Sequence, residues 1–160
     1  MIKSSLIFDF YSIYLKSDNF RTGTLICASP AGNMKFMATS GLKNYQGIGS
    51  CNKKGKGGIP PCELVGIKTY TVATKPIAMP KTKGVEGNFY QIFPFNVLVL
   101  QYEKKTARGD FGIHADMNIK GTSGCIGLLP GEHWQKFEEL MKKISSAGEE
   151  LVDLFVPMGY

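Results

Sequence analysis

The amino-acid sequence predicts a mainly-β domain, a β-sandwich or open barrel, with one α-helix in its C-terminal half. Three observations carry this. Seven or eight short stretches alternate apolar and polar residues with a period near two and are rich in Phe, Tyr, Ile and Val. Turn residues such as Pro30-Ala31-Gly32-Asn33 and Ser40-Gly41 separate them. Only Glu132–Ser146 repeats apolar residues at intervals of three and four, through Trp134, Phe137, Leu140, Met141 and Ile144. At 160 residues the chain fits one domain spanning 1–160.

In chain order, Leu6–Leu15 reads as a strand, Ser17-Asp18-Asn19 as a turn and Arg21–Ala28 as the second strand of a hairpin. Met34–Thr39 is a third strand. Leu42 to Pro61 is a long Gly- and Lys-rich loop, of a length that is often functional in a small domain. Glu63–Thr74 reads as one strong strand. Lys75–Gly87 is turn-rich, with Pro76 and Pro80 opposing regular pairing. Asn88–Phe95 and Asn96–Tyr102 are strands, Lys104–Gly109 a polar turn and Phe111–His114 a short strand. In the helix, Glu132 in the first turn and Lys142-Lys143 in the last suit the helix dipole, and Gly148 marks its stop. His133 is expected to be a surface or cap residue. Leu151–Val156 closes the chain as a strand.

Composition narrows the partners. The net charge is +6, which suits an anionic partner or simply a solvated basic surface. The lysines form small clusters rather than a basic run, and no groove-reading motif accompanies them, so nucleic acid is not expected. No apolar run is long enough for a membrane-spanning helix. The first sixteen residues carry Asp9 and alternate, so they read as a strand and not as a signal peptide. Work outside the cytoplasm then implies delivery by a secretion system or a phage, or a trimmed chain. With four cysteines, no Cys-x-x-Cys and two histidines, no metal site and no cofactor are expected. Cys51 and Cys62 flank the long loop, either paired in an oxidising compartment or as two free thiols.

The chemistry concentrates in 109–129. His114 ends a short strand, and Cys125 lies in a small-residue turn, Thr122-Ser123-Gly124-Cys125, among Gly121, Gly124 and Gly127. A nucleophilic thiol needs a base within reach and a turn that offers N–H groups to an oxyanion. This stretch supplies all three, with the N–H groups of Gly124 and Cys125 as donors. Ser123 and Thr122 either bond locally or touch substrate. The competing reading makes Cys125 a packing residue and His114 a satisfied core histidine.

The pattern Ile113-His114 … Thr122-Ser123-Gly124-Cys125-Ile126 resembles the catalytic motif of the L,D-transpeptidase (YkuD-type) domain, in which Ile-His-Gly is followed by Ser/Thr-x-Gly-Cys-Ile. Phe36–Gly41 and Gly57–Pro61 are similar to segments upstream of the active site in small members, some of them secreted antibacterial effectors. The resemblance implies a β-sandwich-like domain of that type, acting on peptidoglycan stem peptides in the periplasm or cell wall through a thioester. It implies Cys125 as nucleophile, His114 as base, Gly124 at the oxyanion hole and Ser40 beside the substrate. A backbone carbonyl orients the histidine in this family; Asp116 is the other candidate, or else a solvated loop carboxylate. The family's Arg after Cys-Ile is Gly127 here, and Arg108 either replaces that cation or lies on the surface. Ser123 stands where His is frequent, and Cys62 where Gly is. A delivery or immunity protein is the implied protein partner. A wall-binding or phage or secretion structural module on the same fold, without catalysis, is the alternative.

Overall fold

Alternation along the first three strands builds one wall of the molecule. The structure, a computed structural model, describes residues 3–15, 20–117 and 120–158, without the side chains of 11–15. The expected turn at Ser17-Asp18-Asn19 lies outside these residues. Strands β1 (Ser5–Leu15), β2 (Arg21–Ser29) and β3 (Gly32–Leu42) form an antiparallel meander. Leu6, Phe8 and Phe10, then Leu25 and Cys27, then Phe36 and Ala38 point into one core. Every second residue is buried through 5–10 of β1, β2 and the first part of β3, as period-two packing requires, while 38–41 of β3 are buried on both faces.

The remaining strands are β4 (Tyr70–Ala73), β5 (Ile77–Met79), β6 (Gly87–Phe93), β7 (Asn96–Gln101), β8 (Lys104–Gly109), β9 (Gly112–Ala115), β10 (Gly121–Leu128) and β11 (Leu151–Phe155). The wall runs β4-β11-β1-β2-β3-β10-β9-β6, and β6 pairs back onto β4 through Thr71↔Phe93 and Val72↔Ile92. The mainly-β expectation with one late helix holds, but the sheet closes into a ring of eight strands rather than staying open. β5 hangs on β6 as an edge strand between Pro76 and Pro80, where a missing N–H costs no ladder bond. The neighbours β9 and β10 are parallel. Helix α1 (Glu132–Ser146) lays Phe137, Leu140, Met141 and Ile144 into the core, with Phe137 edge-on to Phe36 at 5.5 Å. Gly148, at φ 97°, follows the helix end as expected. Among the described residues, no helix is long and apolar enough to cross a membrane.

Two segments differ from the expectation. Glu63–Thr74 is a strand only over Tyr70–Ala73; Cys62–Val65 forms a 3-10 turn that Gly66 ends in the left-handed region at φ 68°. Lys104–Gly109 is not a turn but strand β8, paired with β7 along its whole length. Its hairpin turns at Tyr102-Glu103, both with positive φ (54° and 57°). That is the backbone of a primed turn without the Asn or Gly that normally signals one. Cys51 and Cys62 are free and buried, so of the two readings the structure carries the thiols.

Candidate active site

Register puts His114 and Cys125 on one face. In the β9–β10 ladder Ile126 faces Ile113 and Gly127 faces His114. Ile113, Ile126 and Leu128 belong to the core, so their neighbours His114, Cys125 and Gly127 take the outer face. Cys125 then lies one row from His114, in the row of Gly112. Phe89 extends the His114 row: Tyr90 pairs with Ile113, and the Phe89 ring stacks on the imidazole at 6.2 Å and 18°. A Cβ at Gly112 would collide with that ring. Gly112 is therefore the residue that leaves room for the Phe89 ring stacked on His114.

The Thr122–Cys125 segment is not a free turn but a wide bulge in β10. Between the pairs Gly121↔Leu42 and Ile126↔Ser40, four residues of β10 face only Gly41 of β3. Glycine makes this possible at Gly124, whose φ is 129°, where a Cβ would lie 2.5 Å from Arg108 Nη2. Side chains replace the missing ladder. Thr122 Oγ1 donates to the Cys125 carbonyl and accepts from the N–H groups of Gly41 (3.2 Å) and Gly124 (3.4 Å). Ser40 Oγ donates to the same Cys125 carbonyl at 2.8 Å and accepts from Ile59 N–H at 2.8 Å. Two hydroxyls thus fix the peptide unit that follows the thiol.

Arg108 sits beneath the bulge, 3% exposed. Its guanidinium donates to the carbonyls of Cys51, Gly57 (2.9 Å), Gly58 (3.4 Å) and Ser123 (3.1 Å) and lies 5.4 Å from the Phe111 ring. Ser40, Thr122 and Arg108 therefore support the bulge from inside; Thr122 takes the local-bond reading, and Arg108, buried rather than on the surface, also lines the cleft that holds Cys125. Burial is the reason: each spends its polar atoms on backbone groups that would otherwise be unsatisfied. Ser123 is exposed and keeps its place at the surface.

The thiol lines a cleft of about 320 Å³ with Lys54, Asn96, Ala107, Asp110 and Ser123. Its S–H points to Asp110 O at 3.7 Å. Burial pushes the Cys125 thiol up to about 11, against the pull of Gly112 N–H and with a further push from Asp110. Burial also holds the His114 imidazole below its ordinary value, opposed by its bond to Ala115 O. That bond, 2.7 Å from Nδ1, requires the proton on Nδ1 and leaves Nε2 with its lone pair. The backbone carbonyl, not Asp116, orients His114. Asp116 Oδ2 accepts from Gly121 N–H at 3.2 Å, Oδ1 is buried with no hydrogen-bond partner among the described residues, and burial raises its carboxyl to about 6.

Gly127 has a steric cause. A Cβ there would meet Asp116 Cβ at 3.0 Å and Thr122 Cγ2 at 3.1 Å, so no arginine fits while those residues stay in place. Two cations line the thiol cleft, the buried Arg108 and the exposed Lys54. Sequence reasoning passed over Lys54, Phe89 and Gly112; a glycine inside the strand Phe111–His114 is the one local sign of a close approach. His133 is half-buried and accepts from Met37 N–H at 3.1 Å, tying the helix start to β3 rather than capping α1. Among the described residues no three His, Cys, Asp or Glu side chains stand together as a metal site. No family model matches the chain, and neither a curated protein nor a solved structure does.

Proposed function

We propose that the chain is a cysteine acyltransferase that acts on the stem peptides of peptidoglycan, in the periplasm or cell wall. The observation that carries this reading is the register that sets His114 and Cys125 one row apart on the adjacent parallel strands β9 and β10, with the Ala115 carbonyl accepting from Nδ1–H and leaving Nε2 its lone pair. The motif resemblance supplies the substrate class, and the raised thiol and lowered imidazole make both partners neutral at rest.

In the first step the thiol proton passes to Nε2 as sulfur bonds to the scissile carbonyl carbon. The Cys125 N–H receives the developing oxyanion; the Gly124 N–H, which bonds Thr122 Oγ1 at rest, must turn from it to join. The C–N bond then breaks, and the leaving amine takes the proton from Nε2. An incoming amine or water yields a proton to Nε2 and attacks the thioester, and sulfur recovers the proton as the C–S bond breaks. Amine gives transpeptidation, water gives hydrolysis. Lys54 and Asn96 line the cleft, and in this reading they meet a carboxylate and an amide of the stem.

Incubation with purified muropeptides, read by mass spectrometry, tests the proposal. New cross-linked or shortened species are expected, with activity reduced at least 100-fold in Cys125→Ala and in His114→Ala. Unchanged tetrapeptide and pentapeptide stems, or full activity in Cys125→Ala, would sink it. The thiol held in its protonated form favours one rival, a wall-binding module without chemistry, for which wild type and Cys125→Ala bind peptidoglycan alike and release nothing. Iodoacetamide labelling checks the protonation state. Cys27, Cys51 and Cys62 are at most 2% exposed, so Cys125 is expected to label alone in the native protein. Its rate is expected to climb about tenfold per pH unit from neutral toward 10, as for a thiol ionising above that range. A plateau near pH 7 would mean a thiolate at rest.

A further inference from the structure

A cleft of about 550 Å³ runs between α1 and the ends of β4 and β6, and shares no lining residue with the thiol cleft. It lies on the helix side of β6, since Tyr90 in its wall pairs with core-facing Ile113 while Phe89 turns the other way. Of its lining residues only Pro76 lacks a hydrogen-bonding side chain. Its charges balance, Lys75 and Lys142 against Glu138 and Glu139.

The floor is built in advance. Asn88 Nδ2 donates to Glu138 Oε1 at 2.7 Å, and the Tyr90 hydroxyl lies 3.3 Å from the same oxygen. The Tyr90 ring is wedged edge-on between Trp134 (5.8 Å) and Phe137 (5.3 Å). Burial and Glu138 raise the Tyr90 phenol, which therefore stays a donor. A rigid carboxylate, amide and phenol, with Gln135 above them, offer donors and acceptors side by side.

Asn88 and Tyr90 already partner Glu138, so an apolar side chain would strand only the spare donors and acceptors of this set and those of Gln135. A strongly charged ligand would meet as much repulsion as attraction. A neutral ligand rich in vicinal hydroxyls satisfies them, and the volume lies in the usual range for small-ligand sites. We infer that this cleft binds a short segment of neutral saccharide. The inference stands on the cleft alone and does not need the acyl-transfer reading.

Titration of the intact chain with a tetramer of N-acetylglucosamine, followed by amide NMR shifts, tests it. Shifts are expected at 88–90 and along 135–146, with affinity at least tenfold weaker in Asn88→Ala/Gln135→Ala and unchanged in Cys125→Ala. Gln135 is exposed on the helix, so Gln135→Ala alone, with at least threefold weakening expected, decides the matter if the double variant fails to fold. Absent shifts at millimolar sugar, shifts confined to the thiol cleft, equal affinity in the variants, or equally tight binding of a neutral peptide would overturn it.

Discussion

Strand β10 is built in two halves by different means. From Ile126 to Leu128 it is in register with both neighbours, β3 and β9. From Thr122 to Cys125 it has lost register with β3, and its backbone is held by Thr122, Ser40 and Arg108. The regular half is held by ladder bonds that any sequence with the right period forms. The bulged half exists only while particular side chains, drawn from β10 itself, β3 and β8, supply the missing bonds. The candidate nucleophile lies at the junction, so the thiol's position depends on side chains that bond the backbone on either side of it.

The largest test of this contrast is Arg108→Ala. It strips donors from the carbonyls of Cys51, Gly57 and Ser123, each worth about 1–3 kcal/mol when left buried without a partner. A loss of roughly 3–5 kcal/mol in urea unfolding is expected. A loss below about 1 kcal/mol would show that the bulge stands without the guanidinium.

Asp116 touches both halves, accepting from Gly121 N–H and lying against Gly127. Burial raises its carboxyl to about 6, against about 3.9 in an unfolded chain. Below about pH 4 both states hold the proton and folding bears no cost. As pH rises through about 6 the folded state must ionise a buried carboxylate, and stability falls by about 3 kcal/mol. Asp116→Asn is therefore expected to stabilise by roughly 2–3 kcal/mol at pH 8 and by under about 0.5 kcal/mol at pH 4, in urea curves at both values. Equal gains at both pH values would remove ionisation as the cause.

The smallest effects sharpen the contrast most directly. Thr122→Val keeps the shape but deletes one donor and one acceptor of the bulge, for an expected loss of about 1–3 kcal/mol. Ile126→Val removes one methylene from the regular half, for about 0.5–1.5 kcal/mol. Thermal melts that rank Ile126→Val as the more damaging change would place the weight of β10 in its ladder after all.

Local pattern was legible where a segment packs one face on one core. The helix Glu132–Ser146 follows from its apolar stripe, and β7 and the Arg21–Ser29 strand from strict alternation. It failed where backbone conformation is set by something other than local preference. The hairpin turn on Tyr102-Glu103 carries no turn signal, so β8 read as loop. In 63–74 a left-handed Gly66 splits what alternation presented as one strand. In the site, the residue types His114 and Cys125 stood out, and so did the glycines around the thiol. The burial of Arg108, Ser40 and Thr122 did not, because polar side chains are inside only when distant backbone groups wait for them.

The sequence by itself determined the strand-rich class, the single late helix and a histidine and cysteine set among glycines, since periods of two and 3.6 and turn chemistry act over a few residues. Tertiary structure alone decided that the sheet closes, that the histidine and thiol share a face, and that Ala115 rather than Asp116 orients the imidazole. Those outcomes rest on register and on contacts between distant segments, as in the bond from Ser40 to the Cys125 carbonyl across 85 positions. No local period encodes such a contact; it appears only when the whole barrel has chosen one set of partners.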